Sequence, residues 1–173
     1  YLVQGEGEDT MVDIIESYKS NRQINEVQGV AYRGEKGIQK NDRPFIADLD
    51  RLPIPAYDLI DFNKYQESDL LYAGRMFEPN KITIVSSRGC PFKCIFCVWP
   101  AAMTGNDPHG DGKRSVRQYT PDYIENFVKD LTSKYKFNAM YFDDDTFNIG
   151  NRHTEKMSEV MSKFDIPWFA MCR

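Results

Sequence analysis

Three cysteines, Cys90, Cys94 and Cys97, fall within eight positions of the stretch SSRGCPFKCIFCVWP (86–100), and the fourth in the chain, Cys172, stands far from them. Thiolates at this density bind a soft metal or do redox chemistry. A structural zinc site needs four closed ligands, usually two C-x2-C pairs or one pair with histidines. Here the nearest histidine is His109, in a Pro-His-Gly context, and there is no second pair. A dithiol redox site needs only the C-x2-C of Cys94 and Cys97, which leaves Cys90 without a task. Three thiolates suit an iron–sulfur cubane whose fourth iron has no protein ligand and stays open to a substrate or cofactor. Phe92, Ile95, Phe96, Val98 and Trp99 are expected to form an apolar wall that limits water and tunes potential. Cys172 is expected to be a small buried apolar residue.

The elements around this loop follow from patterning. KITIVSS (81–87) is β-branched and apolar and predicts a strand that ends at the cysteine loop. Residues 101–118 lack periodicity and predict a long loop. Thr120-Pro121 opens a helix, with Thr as N-cap and Pro in the first turn. Its apolar face is Ile124, Phe127, Val128, Leu131 and Tyr135. NAMYFDDDTF (138–147) contains the next strand. Asn151 is expected to cap a second helix with the stripe Met157, Val160, Met161 and Phe164, and IPWFAMCR (166–173) to hold a third strand. Strand–helix–strand–helix–strand argues for parallel strands and an α/β architecture. The cysteine loop and Asp143–Asp145 then share the C-terminal edge, where α/β proteins place their chemistry.

Upstream, YLVQ (1–4) reads as the tail of a buried strand and GEGE (5–8) as a turn. Asp9 or Thr10 is expected to cap a helix running to about Ser20, with Val12, Ile15 and Tyr18 on its apolar face. Residues 27–33 and 37–40 predict a hairpin around GEK. RPFIADLDRLPIPAYDL (43–59), with its four prolines, predicts an extended connector packed on a surface. The chain thus divides into residues 1–20, a hairpin and connector over 21–80, and the α/β segment 81–173.

The formal net charge of −4 argues against general nucleic-acid capture, which would want a basic surface. No apolar run reaches membrane-spanning length, and no signal peptide opens the chain. Four cysteines in 173 residues are too sparse for a disulfide scaffold, so a reducing, cytoplasmic setting is expected.

The spacing C-x3-C-x2-C after a strand, with an aromatic residue before the last cysteine (Cys90, Cys94, Phe96, Cys97), resembles the radical S-adenosylmethionine superfamily. The runs SSRGCPFKCIFCVWP, YFDDDTFNI and IPWFAMCR look like the branch that carries an N-terminal cobalamin-binding domain. YLVQGEGEDTMVDII looks like the last strand and helix of that domain, and DLDRLPIPAYDLID like the connector into the barrel. The resemblance implies a partial (β/α) barrel, its first three strands, preceded by the C-terminal tail of a Rossmann-like domain. It implies a fragment, because three strands do not close a barrel.

It further implies a [4Fe–4S] cluster on Cys90, Cys94 and Cys97, with S-adenosylmethionine chelating the open iron. An electron from the reduced cluster cleaves the sulfonium to methionine and a 5′-deoxyadenosyl radical, which abstracts hydrogen from an unreactive C–H bond. In the cobalamin branch many members transfer a methyl group to an unactivated carbon; others catalyse cyclisation or rearrangement. Phe96, Asp144 and Arg114 are the candidate cofactor contacts. Asp144 stands where the family often has Gly-Gly-Glu, and its carboxylate can accept from the methionine ammonium group; adjacent side chains on a strand face opposite ways, so the three aspartates cannot share one ligand. Arg114 or Arg117 can face the methionine carboxylate, and Arg88 can support the cluster loop. His109 and His153 are expected at the surface, Trp99 and Trp168 in packing. Neither histidine fits the D-x-H-x-x-G signature of the branch, so a cobalamin site lies mostly outside this chain. The partners implied are a small-molecule or natural-product substrate and an electron donor such as flavodoxin or ferredoxin. A zinc or thiol binding module and a degenerate structural relative remain as alternatives.

Overall fold

The computed structural model describes residues 1–61, 64, 71–72, 75–76, 81–92, 94–97 and 116–173. Arg114, His109, Val98, Trp99 and most of the predicted loop 101–118 lie outside the described residues. Two compact units are present, one of Tyr1–Ala47 with Phe92–Arg114, the other of Asp48–Pro91 with Ser115–Arg173.

In the first unit, β1 (Leu2–Val3), β2 (Val30–Gly34) and β3 (Gly37–Lys40) form an antiparallel sheet in the order β1-β2-β3, and α1 spans Glu8–Lys19. The predicted hairpin is present. Gly34 pairs with Gly37 across Glu35-Lys36, and Gly37 sits at φ +100°, where a Cβ would be strained. β1 departs from expectation: it is a two-residue antiparallel strand, and Leu2 is exposed. The first helix departs too. Its N-cap is Gly7, and it buries Thr10 and Ser17 while Val12, Ile15 and Tyr18 are exposed. The reason is a close approach. Gly29, at φ +82°, brings its backbone so near Thr10 that a Cβ there would collide with the threonine side chain. Only small residues fit the inner face of α1, so hydrophobicity does not decide which side turns inward.

The second unit begins within the proline-rich connector, whose part from Asp48 packs as predicted. Leu49 and Leu52 are buried, and the Tyr57 hydroxyl donates to the Thr83 carbonyl at 2.9 Å. After a two-strand ladder of β4 (Leu71–Tyr72) and β5 (Arg75–Met76) come β6 (Lys81–Ile84), β7 (Ser87–Arg88), β8 (Arg117–Gln118), α2 (Pro121–Lys134), β9 (Ala139–Phe142), α3 (Asn151–Met161) and β10 (Trp168–Ala170). The sheet runs β10-β9-β6, parallel throughout, with Ile84 opposite Phe142 and Phe142 opposite Ala170. All four residues of β9 are buried, the unbroken apolar pattern of a strand covered on both faces. Ile124, Phe127, Val128 and Leu131 of α2 and Met157, Val160 and Met161 of α3 complete the core, each worth about 1.5–3 kcal/mol of burial.

Thr120 caps α2 as predicted: its hydroxyl oxygen accepts from the Tyr123 N–H at 3.2 Å, with Pro121 in the first turn. Asp50 in the connector ties the same cap, accepting from the Thr120 N–H at 2.9 Å and its hydroxyl at 2.5 Å. The predicted strand 81–87 stops at Ile84. Beyond it the Ser86 N–H and hydroxyl bond to the Asp144 carboxylate, and Ser87 and Arg88 pair with Gln118 and Arg117 as β7 and β8.

Candidate metal centre and the sheet edge that carries it

β6 and β9 end side by side, with the Asp143 N–H donating to the Ile84 carbonyl at 2.9 Å. The residues that follow alternate as a strand end should. Asp143 is exposed, Asp144 buried at 1% and Asp145 half-buried. From this one point, three consecutive side chains reach across to the segment leading into Cys90. Asp144 accepts from the Ser86 N–H at 3.2 Å, from the Ser86 hydroxyl at 2.9 Å and from the Ser87 hydroxyl. Asp145 accepts from the Gly89 N–H at 2.8 Å. Thr146, also buried, places its hydroxyl 3.5 Å from the Cys90 sulfur. Gly89 turns the chain at φ +97°, a conformation that favours glycine.

His153 extends the brace from α3. Sequence reasoning put it at the surface; it is 6% exposed, with Nε2 2.8 Å from the Ser86 hydroxyl. That hydroxyl has one hydrogen and gives it to Asp144, which leaves Nε2–H of the imidazole as the donor to Ser86. Only its position in a first helical turn was visible in the sequence; its partner lies 67 residues away. Burial raises the Asp144 carboxyl above its ordinary value, against the hydrogen bonds from Ser87 and Ser86 and the pull of His153. Burial likewise lowers His153, against the charge of Asp144.

A histidine lowered on folding stabilises fully above its ordinary pKa of 6.5, and that contribution is lost as pH falls from there through the folded value. Asp144, raised on folding, works oppositely: its contribution is full below 3.8 and lost as pH rises through the folded value. The His153 contribution should therefore climb with pH just below 6.5, and His153→Gln, which keeps a donor but cannot charge, should remove that climb from the stability profile. Urea unfolding at pH values on either side of 6.5 measures it; an unchanged slope would remove His153 as its source.

The cysteines themselves are all free thiols. Cys90 and Cys94 are half-buried and Cys97 exposed, with the Cys97 N–H donating to the Cys94 carbonyl at 3.1 Å in a tight turn. Ile95 and Phe96 stand out in solvent, Phe96 at 88% exposure, on a short turn. One expectation needs correction: Cys172 is exposed rather than buried, because the chain leaves the sheet after Ala170. Among the described residues no three His, Cys, Asp or Glu side chains are gathered around one point. The donor set nevertheless fits an iron–sulfur cluster in kind: three unpaired sulfurs, accessible, at C-x3-C-x2-C, the first fixed on a braced sheet edge.

Comparison with known proteins shows what the chain is similar to. No protein-family model matches the chain. An uncharacterized methyltransferase of Pyrococcus horikoshii is 28% identical over 176 residues, 99% of this chain and 34% of that protein. The anaerobic magnesium-protoporphyrin IX monomethyl ester cyclase of Synechocystis is 34% identical over 98 residues, 56% of this chain and 18% of the cyclase. The cobalamin-dependent S-adenosylmethionine radical enzyme OxsB superposes on 99% of the chain with a TM-score of 0.67 at 20% identity, covering 22% of OxsB. In fold the chain is similar to radical S-adenosylmethionine enzymes. The chain spans about a third of the curated relative that matches it nearly end to end. Its mixed α/β fold is that of radical S-adenosylmethionine enzymes. Among its described residues no helix is long and apolar enough to cross a membrane.

Proposed function

We propose that this chain is the cluster-bearing part of a cobalamin-dependent radical S-adenosylmethionine methyltransferase acting on an unactivated carbon of a small molecule. Cys90, Cys94 and Cys97 hold the [4Fe–4S] cluster. The observation that carries the reading is the placement of a free Cys90 just past the end of β6, braced by Asp145 and Thr146. When bound, the cluster supplies one electron and an open iron for reductive cleavage of S-adenosylmethionine to a 5′-deoxyadenosyl radical. Phe96, exposed beside Cys97, is suited to cover the cofactor on binding. Arg114 is assigned to the methionine carboxylate on the strength of the resemblance alone. Asp144 spends both carboxylate oxygens on Ser86 and Ser87, which suits it to positioning the cluster loop. The exposed Asp143 is then the strand-end carboxylate suited to meet the methionine ammonium. Residues 1–20 correspond to the end of a cobalamin-binding-like domain, with most of that site in other polypeptide. A flavodoxin or ferredoxin is the class of electron donor.

The likeness to a cyclase over half the chain favours one second reading, radical chemistry without methyl transfer. Anaerobic reconstitution, reduction, and electron paramagnetic resonance with and without S-adenosylmethionine test the shared part of both. A reduced [4Fe–4S] signal that changes on adding S-adenosylmethionine is the expected result. A folded sample that takes up four-coordinate zinc and no cluster would sink both. Label from the S-adenosylmethionine methyl group appearing in product separates the first from the second.

A further inference from the structure

The brace does more than hold the loop. We infer that the Thr146 hydroxyl is a positioning residue for Cys90 that donates a hydrogen bond to its sulfur in the cluster-loaded protein and so raises the cluster's reduction potential. This rests on the cluster assignment above.

The geometry gives Thr146 two neighbours. Its Oγ1 donates to the Asp145 carbonyl at 2.5 Å and lies 3.5 Å from the Cys90 sulfur. With the single hydroxyl hydrogen on the carbonyl, the thiol is the donor to Oγ1 in the metal-free protein. A cysteine that ligates a metal is a thiolate and has no proton to give. The contact survives loading only if the hydroxyl rotates and donates to sulfur. In rotating, the hydroxyl gives up its bond to the Asp145 carbonyl. Thr146 is itself fixed: it is buried at 5% exposure, and the neighbouring Asp145 carboxylate is pinned to Gly89. The Thr146 oxygen is therefore held beside the sulfur.

A donor on a cluster sulfur stabilises the more negative, reduced state, since the added electron increases charge on the sulfurs. The step is a one-electron reduction by an external low-potential donor, dithionite in the test, with no proton transferred. Thr146→Val removes the hydroxyl at nearly constant shape. Thr146→Ser keeps it.

The test is a redox titration of the reconstituted chain with dithionite, followed by electron paramagnetic resonance. At the potential where half the wild-type cluster is reduced, the Val variant should show about a tenfold lower reduced-to-oxidised ratio, about 59 mV for a one-electron couple. The Ser variant should titrate with the wild type. A Val variant that loses the cluster while the Ser variant keeps it also supports the assignment. Equal potentials in all three overturn it, as does loss of the cluster in both variants. No cluster in the wild type overturns the underlying reading of the cysteines instead.

Discussion

Changing any one of Cys90, Cys94 or Cys97 to Ala is expected to abolish the S-adenosylmethionine-responsive cluster signal, and Cys172→Ala to leave it intact. The asymmetry follows from position. The three motif cysteines follow β6 and β7 in the sequence, half-buried or exposed and in no disulfide, while Cys172 sits past the end of β10. A cubane held by three protein sulfurs has no spare ligand. Losing one leaves two irons open, and the cluster falls to smaller species or is lost. Iron and sulfide content with the reduced-state spectrum checks each variant. Loss of the cluster in Cys172→Ala together with its retention in Cys90→Ala would show the ligand assignment to be wrong.

The second large effect is on stability. Asp144→Ala should destabilise the chain by about 3 kcal/mol or more, because it strands the Ser86 N–H and the Ser86 and Ser87 hydroxyls, donors in buried positions. Relief of a carboxylate that burial disfavours offsets part of that cost. Asp144→Asn should cost less, since its carbonyl oxygen still accepts. Urea midpoints of the two variants measure the difference. Equal midpoints for wild type and Ala would mean that water satisfies these donors and that the brace does not stabilise the fold.

The parts of this molecule that the sequence announced are those whose signals are local. Thr120-Pro121 reads as a helix start because capping needs only neighbours in the chain. The apolar spacing of α2 and α3, and the cysteine triplet itself, are likewise complete within a dozen residues. What stayed hidden depends on residues far apart. His153 looked like a surface residue because nothing near it explains burial; Ser86, 67 positions away, does. Asp144 was legible as a strand-end acid, but its hydroxyl partners were not, and Thr146 drew no attention until the Cys90 sulfur stood beside it. The outward face of α1 was misjudged for a different reason. A backbone approach at Gly29 outweighed the hydrophobic stripe, and periodicity cannot report a steric limit set by another segment.

The separation of these partners in sequence also fixes an order of assembly. Ser86 and Asp144 stand 58 positions apart, and Cys90 and Thr146 stand 56 apart. Closing loops of that length has an entropic cost that two or three hydrogen bonds cannot offset alone; it is met by register between β6 and β9 and by the packing of α2 beneath them. The edge that presents Cys90 is thus a late product of sheet formation rather than its nucleus. On the proposed reading of the cysteines, the polypeptide by itself supplies a first ligand held at this rim, to which iron and sulfide are then added.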